Sequence, residues 1–344
     1  MKILITGGCG FVGSNLAAEG IKRKYDITVL DNLSRNGSQE NKRWLEEVGG
    51  FEFIQGDIQD EACINQLFST APPDIIFHLA GQVAMTTSIM DPRKDFEINA
   101  LGTLNILEAI RLFSPKTAMF YSSTNKVYGD LNELSYKEND SRYLIKESSS
   151  ISENLPLSFH SPYGCSKGAA DQYCLDYHRI FGIQTVVFRH SSMYGGRQFS
   201  TIDQGWIGWF CDQALKVKEG EIADVFTISG NGKQVRDILH IEDVINLYFN
   251  SINHLDKICG EAFNIGGGYE NSLSLIELFD FLQNHLGIEI KLNNLPPRES
   301  DQKVFIANLE KITRLNKWVP SVSKYDGLIS NLEWESSKNK IKLT

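Results

Sequence analysis

The chain has 344 residues, of which 42% are hydrophobic and 22% charged, and its formal net charge is −9 at pH 7. This length allows one large domain or two smaller ones. The acidic balance argues against nucleic acid or an anionic membrane as the main partner. No apolar run approaches the roughly 18 residues that span a bilayer, and the apolar stretch at the start is too short for a signal peptide. The six cysteines are scattered without CxxC spacing, which is typical of reduced thiols in the cytoplasm and predicts neither disulfides nor a metal site.

The first predicted element is a strand at residues 2–6 that leads into Gly7, Gly10 and Gly13, followed by a helical segment. Glycines between a strand and a helix let the backbone approach a pyrophosphate at the helix N-terminus. A second strand ends at Asp31, 18 residues after Gly13, where a carboxylate can bind ribose hydroxyls and would repel a 2′-phosphate. The pattern predicts NAD rather than NADP as the cofactor, although the nearby Arg35 weakens that preference.

Strands and helices then alternate as far as residue 124, with predicted strands at residues 51–54, 74–80 and 116–123. This alternation predicts an α/β fold in which a doubly wound, mostly parallel sheet is covered by helices on both faces. Ligands of such sheets bind beyond the carboxyl ends of the strands. The residues that follow those ends are therefore expected around one crevice: Gly7, Asp31, Asp57, Ala80 and Thr124.

The regular alternation stops at residues 130–160, which are polar, rich in serine and without a clear period. About 30 residues without secondary structure are unusual inside a compact domain and indicate a lid or a binding loop. A solvated surface excursion is the alternative interpretation.

Tyr163 and Lys167 lie four residues apart in a segment predicted to be helical from residue 162 to about 181. Ser161 can cap this helix and Pro162 suits its first position, so the two side chains share one helical face. A nearby ammonium favours the phenolate and lowers the pKa of the phenol from its usual value of about 10. The pair can therefore transfer a proton, but the same spacing also occurs by chance on many helices.

The alternation is less regular beyond residue 190, and the loops are longer. We therefore expect an NAD-binding domain at residues 1–190, carrying the insertion at 130–160 and the helix at 162–181. A smaller α/β substrate domain is expected at residues 191–344, with the chain crossing back to the first domain. Arg236 and Arg298 could each reach a phosphate, but each is isolated in the sequence and could equally be a surface charge.

Taken in order, the glycine loop, Asp31, Asp57 and the Tyr163/Lys167 pair resemble the extended short-chain dehydrogenase/reductase family over residues 1 to about 334. This family of modified Rossmann folds contains NAD-dependent sugar-nucleotide epimerases, dehydratases and reductases. The resemblance implies Thr124, Tyr163 and Lys167 as the catalytic residues, and Arg236 and Arg298 as ligands of the substrate diphosphate. For NAD it implies a binding set made of Gly7, Gly10, Phe11, Val12, Gly13, Asp31, Asn32, Arg35, Asp57, Ile58, Leu79, Ala80, Gln82, Asn99, Ser122, Tyr163 and Lys167.

Residues 160–173, 188–199 and 203–211 resemble one branch of this family more closely. The members of that branch epimerise CDP-linked 3,6-dideoxyhexoses at C2, in the biosynthesis of lipopolysaccharide sugars. Dehydratases of the family place an Asp-Glu pair after the threonine, where this chain has Asn125 and Lys126, and many relatives carry Asn at the substrate-facing position of Ser192. The resemblance therefore implies a CDP-linked deoxysugar as substrate and a homo-oligomer, either a dimer or a tetramer. The alternatives are a C4 epimerase of a UDP-sugar such as UDP-glucose, and a non-catalytic NAD-binding sensor.

Overall fold

The computed structural model describes residues 1–298 and 301–339. The strands of this part of the chain are β1 (Lys2–Thr6), β2 (Asp26–Asp31), β3 (Glu52–Gln55), β4 (Ile75–His78), β5 (Ala118–Thr124), β6 (Tyr136–Glu138), β7 (Tyr143–Ile145), β8 (Thr185–His190), β9 (Ser192–Tyr194), β10 (Val225–Ser229), β11 (Val235–His240), β12 (Glu261–Ile265), β13 (Ser272–Ser274), β14 (Lys291–Leu295) and β15 (Val304–Phe305). The helices are α1 (Phe11–Lys22), α2 (Ser38–Val48), α3 (Glu61–Thr70), α4 (Met85–Met90), α5 (Pro92–Phe96), α6 (Gly102–Phe113), α7 (Ser161–Phe181), α8 (Trp206–Lys218), α9 (Ile241–Ile252), α10 (Leu255–Ile258), α11 (Leu275–Leu286), α12 (Glu310–Asn316) and α13 (Lys324–Asn339). A π-helical turn (Glu97–Leu101) joins α5 to α6, and a 3₁₀ helix (Asn125–Tyr128) follows β5.

Seven parallel strands form the main sheet in the order β12-β8-β5-β4-β1-β2-β3. Successive side chains of a strand point to opposite faces of the sheet. In β1, Ile3 and Ile5 therefore contribute to the core under α1 and α9, whereas Leu4 contributes to the core under α3, α6 and α7. The predicted doubly wound α/β sheet is confirmed, and its parallel strands bring the carboxyl ends of β1, β2, β4 and β5 to one edge.

A smaller mixed sheet is built around β11, which pairs with β9 and β15 in parallel and with β13 antiparallel. Strands β10 and β14 form a separate parallel pair, and helices α8, α11 and α13 contribute to the core on this side. Strand β12, which follows α10, returns to the edge of the main sheet next to β8. The division of the chain into domains at residue 190 stays a prediction.

The insertion at residues 130–160 contains the short antiparallel strands β6 and β7. Ile145 and Ile151 are buried with Phe305, and the Ile151 amide donates to the Ile306 carbonyl at 2.7 Å. The expectation of a segment without secondary structure is therefore wrong. The apolar residues that anchor this segment are irregularly spaced and pack against a distant part of the chain, so no local period reveals them. A lid function for this segment stays a prediction.

None of the helices within the described residues is long and apolar enough to cross a membrane. Across residues 1–298 and 301–339, no group of three or more His, Cys, Asp or Glu side chains is placed to hold a metal ion. The six cysteines, all of which lie in these ranges, are unpaired.

Candidate active site

The glycine loop lies between β1 and α1 at the carboxyl edge of the main sheet. Gly7 has φ +68°, and a Cβ there would lie 2.8 Å from the Ala80 amide nitrogen. A Cβ at Gly13 would lie 2.2 Å from the Gly7 carbonyl oxygen, so the helix can begin this close to the loop only without a side chain. Because Gly10 has no side chain to cap α1, the amides of Phe11 and Val12 can donate to an anionic ligand. The loop therefore fits the pyrophosphate of a dinucleotide.

Asp31 ends β2 beside this loop, and its carboxylate accepts from the amides of Cys9 at 2.9 Å and Leu33 at 2.7 Å. Burial raises the pKa of Asp31 above its usual value, although these two bonds act in the opposite direction. Asn32 donates to Asp57 at 2.7 Å, so these two predicted residues lie together next to Asp31. This group can present oxygen acceptors to the hydroxyls of a ribose.

Leu79 and Ala80 follow β4, and both of their amides lie within 3.3 Å of the Thr6 hydroxyl oxygen. Gln82 and Asn99 bind each other, since the Gln82 amide donates to Asn99 Oδ1 at 2.9 Å and Asn99 Nδ2 donates to the Gln82 carbonyl at 3.0 Å. The side chain of Ile58 lies under Gly102 at the start of α6. The structure thus brings these predicted NAD-binding residues to the same edge of the sheet.

Asp95 and Ser166 link the Gln82–Asn99 pair to helix α7, and sequence reasoning missed both. The Asp95 carboxylate accepts from the side chains of Gln82 at 2.9 Å, Asn99 at 3.2 Å and Ser166 at 2.5 Å. Asp95 lies four residues before Asn99, and Ser166 directly precedes Lys167. Those spacings are the only sequence signals that could have pointed to them.

Helix α7 carries Tyr163 and Lys167, as predicted, and starts at Ser161, whose hydroxyl accepts from the Gly164 amide at 3.2 Å. Lys167 is 5% exposed, and its Nζ donates to the Ser122 carbonyl at 2.6 Å, 4.4 Å from the centre of the Tyr121 ring. The Tyr163 phenol is hydrogen-bonded to Thr124 at the end of β5. The structure therefore brings together the three predicted catalytic residues.

Burial raises the pKa of Tyr163 to about 12, although the hydrogen bond with Thr124 and the positive charge of Arg35 act to lower it. Burial also lowers the pKa of Lys167 to about 8. The prediction of a lowered Tyr163 pKa is wrong for the protein without bound NAD, because desolvation of the phenol outweighs the nearby positive charge. Arg35, one of the predicted NAD-binding residues, interacts electrostatically with both Tyr163 and Asp31.

Ser192 lies on β9, and its hydroxyl accepts a hydrogen bond from Nε1 of Trp206 at 3.1 Å. Trp206 is the first residue of α8 and is partly buried. No pattern in the sequence connects this tryptophan with Ser192. Only the fold brings these two positions, 14 residues apart, into contact.

Arg236 on β11 is held in place rather than isolated, since it donates to the Asp301 carboxylate at 2.6 Å and to the Gln302 carbonyl at 2.7 Å. Arg298 is exposed and donates from Nε to the Ser229 hydroxyl at 3.2 Å. The structure therefore anchors the two arginines on different elements. Arg236 lies close enough to Lys126 for its charge to lower the pKa of that lysine.

A seven-stranded parallel sheet, a glycine loop after its first strand and a Thr-Tyr-Lys set at its carboxyl edge define a class of NAD-binding enzymes. The chain belongs to the NAD dependent epimerase/dehydratase family, whose model matches residues 3–266, and NAD is its cofactor. Among its relatives, the CDP-paratose 2-epimerase of Salmonella typhi is 57% identical over 338 residues, which cover 98% of this chain and 100% of that protein.

Solved structures of similar proteins include the UDP-glucuronic acid 4-epimerase of Bacillus cereus in complex with UDP-glucuronic acid and NAD. It is 28% identical with a TM-score of 0.84, and the match covers 98% of this chain and 100% of that one. The UDP-glucose 4-epimerase of Thermotoga maritima with UDP-glucose is 27% identical with a TM-score of 0.83, at the same coverage. Both of these neighbours are 4-epimerases of UDP-linked sugars.

Proposed function

We propose that the chain is an isomerase, a CDP-paratose 2-epimerase that interconverts CDP-paratose and CDP-tyvelose for lipopolysaccharide biosynthesis. The observation that carries this proposal is 57% identity over nearly the full length to an enzyme of that name. The grouping of Thr124, Tyr163 and Lys167 supports catalysis rather than a non-catalytic NAD sensor. Asn125 and Lys126, which cannot serve as the dehydratases' carboxyl pair, argue against dehydration.

The residues that would hold NAD are those of the glycine loop, the Asp31 group and the Gln82–Asn99 pair. The chemistry that NAD supplies when bound is reversible acceptance of a hydride. Tyr163 removes the proton of the C2 hydroxyl and returns it after the planar 2-keto sugar has presented its other face. Thr124 hydrogen-bonds the reacting oxygen and orients it, and Lys167 holds the nicotinamide ribose. No net oxidation of the sugar results.

The Tyr163 phenol is almost fully protonated at neutral pH when its pKa is about 12. A base of this kind needs further positive charge nearby to become the phenolate. The Arg35 charge already acts in this direction. We infer that the positive charge of NAD, when it is bound, would complete the shift, so epimerisation should rise with pH on its acid side.

The experiment is to incubate the purified, NAD-loaded protein with CDP-paratose and, separately, with UDP-glucose, and to identify the products by NMR. We expect the C2 epimer of CDP-paratose to form and UDP-glucose to stay unchanged. Turnover of UDP-glucose alone would support the rival C4 epimerase, which the solved UDP-sugar epimerases favour. Turnover of neither, without isotope exchange at C2, would support the sensor.

We also propose a cytoplasmic homo-oligomer. The neighbouring helices α6 and α7 expose large apolar side chains at Leu112, Phe113, Tyr173, Ile180 and Phe181. Contiguous exposed apolar side chains commonly mark protein interfaces, and a second copy of this chain would cover them. Light scattering after size exclusion at micromolar concentration should give a dimer or a tetramer, whereas a monomer would refute the proposal.

A further inference from the structure

Lys126 lies between the reacting end of the site and its anion-binding end. Its backbone amide donates to the Thr124 hydroxyl at 3.2 Å. Its carbonyl oxygen would lie 3.2 Å from a Cβ placed at Gly164, the residue next to Tyr163. The main chain at Lys126 is thus built into the catalytic end of the site.

The side chain of Lys126 extends to the other end. Its Nζ lies 3.9 Å from Asp301 Oδ1, the atom that also accepts from Arg236 at 2.6 Å. Two cations therefore share one carboxylate, and the Lys126 side chain is only 18% exposed. The Arg236 side chain is 12% exposed, so both cations lie in a region of low exposure, where a charge-assisted hydrogen bond to an anionic group is strong.

The distance along the substrate from phosphate to reacting carbon differs between the two kinds of epimerase. In a nucleoside diphosphate sugar, three bonds separate C2 from the β-phosphorus, whereas five separate C4 from it. A C2 epimerase must therefore hold the β-phosphate closer to its Tyr and Thr than a C4 epimerase does. Lys126, two residues after Thr124, is a cation whose main chain contacts Thr124 and whose side chain reaches the carboxylate that binds Arg236.

We propose that Lys126 binds the β-phosphate of the substrate and so places C2, rather than C4, against Thr124 and Tyr163. Lys126 is then a substrate-binding residue that determines which carbon reacts. This inference rests on the proposed C2 epimerase function. In the free protein both cations lie next to Asp301, and we expect the phosphate to join this group on binding.

The charged groups around Lys126 determine how its binding depends on pH. Burial and the Arg236 charge lower the pKa of Lys126 to about 8, and the carboxylates of Asp301 and Asp130 act to raise it. Asp130 is itself paired with His160 at 2.9 Å. The ammonium form binds phosphate, so affinity for CDP should fall as pH rises through about 8.

The test compares Lys126→Met, Lys126→Arg and wild type, all loaded with NAD, by calorimetric titration with CDP and with CMP. We expect Lys126→Met to lower the affinity for CDP about 10- to 100-fold, which is the effect of losing a charged hydrogen bond. The affinity for CMP, which has no β-phosphate, should fall less than about twofold. Lys126→Arg should keep most of the affinity for CDP. Its affinity should not decline between pH 7 and 9.5, because arginine stays charged over this range. The matched control is Lys233→Met, which removes a partly exposed lysine near Glu138 and should bind CDP as wild type does.

Products of CDP-paratose identify the carbon that reacts, since paratose has hydroxyls at both C2 and C4. In Lys126→Met we expect the C2 rate at saturating substrate to fall at least about tenfold and the fraction of C4 epimer to rise. Unchanged CDP affinity, or an unchanged C2 rate at saturation, would overturn the inference. If wild type left CDP-paratose unchanged, the proposed function would fail, whereas the CDP titrations would still decide the phosphate contact.

Discussion

The buried ion pair between Asp171 and Arg189 joins the catalytic helix to the main sheet. The Asp171 carboxylate accepts from Arg189 Nε and Nη2, both at 2.9 Å, and from the Ser123 hydroxyl at 2.7 Å. The side chains are 0% and 5% exposed. Asp171 lies one helical turn after Lys167, so this pair fixes α7 against β5 and β8.

Asp171→Leu leaves the guanidinium of Arg189 buried without its carboxylate. Breaking such a pair costs about 3–5 kcal/mol, and the lost Ser123 bond adds about 1 kcal/mol. We therefore expect the free energy of unfolding to fall by about 4–6 kcal/mol. Urea denaturation followed by circular dichroism, with NAD saturating, measures this change.

The double variant Asp171→Leu, Arg189→Met provides the matched control, because it removes both charges and carries the same leucine as the single variant. Replacing a buried pair by apolar residues is often neutral, so this protein should recover at least about 2 kcal/mol of the loss. A single variant that loses less than about 1 kcal/mol would refute the reasoning. So would a double variant less stable than the single one.

Three further predictions concern catalysis, the cofactor and pH. Tyr163→Phe should retain NAD and lower kcat for epimerisation about 10²- to 10⁴-fold, the usual contribution of a proton-transfer group. Gly13→Ala should lower NAD affinity more than about tenfold in a fluorescence titration, since its Cβ would meet the Gly7 carbonyl. Burial lowers the pKa of both His78 and His190 to about 3, so each should reduce stability by up to about 1.4 kcal/mol per unit as pH falls from about 6.5 towards 3.

The same three predictions have clear contrary outcomes. A Tyr163→Phe protein with wild-type kcat would remove this residue from proton transfer. NAD bound to Gly13→Ala with wild-type affinity would show that the loop tolerates a side chain. For the pH dependence, His190→Gln is the informative variant, and an acid slope of stability equal to that of wild type would contradict the assignment.

Local patterns predicted the parts of the site that depend on neighbouring residues. The run of strand, glycines and helix at Gly7–Gly13 predicted the loop, because the backbone conformation needed there excludes side chains. The four-residue spacing of Tyr163 and Lys167 predicted a shared face, because helix geometry alone determines it. Strand alternation predicted the parallel sheet, and with it the common edge of Asp31 and Thr124.

The tertiary structure alone decided what depends on distant contacts. It raised the Tyr163 pKa, because burial by the surrounding fold outweighs the charges that the sequence places nearby. It ordered residues 130–160 through contacts with β15, and it brought Lys126 next to Asp301 across 175 positions of the sequence. The sequence by itself therefore determined which groups are candidates for the chemistry. Their protonation and their positions relative to one another followed from the packing of segments far apart in the chain.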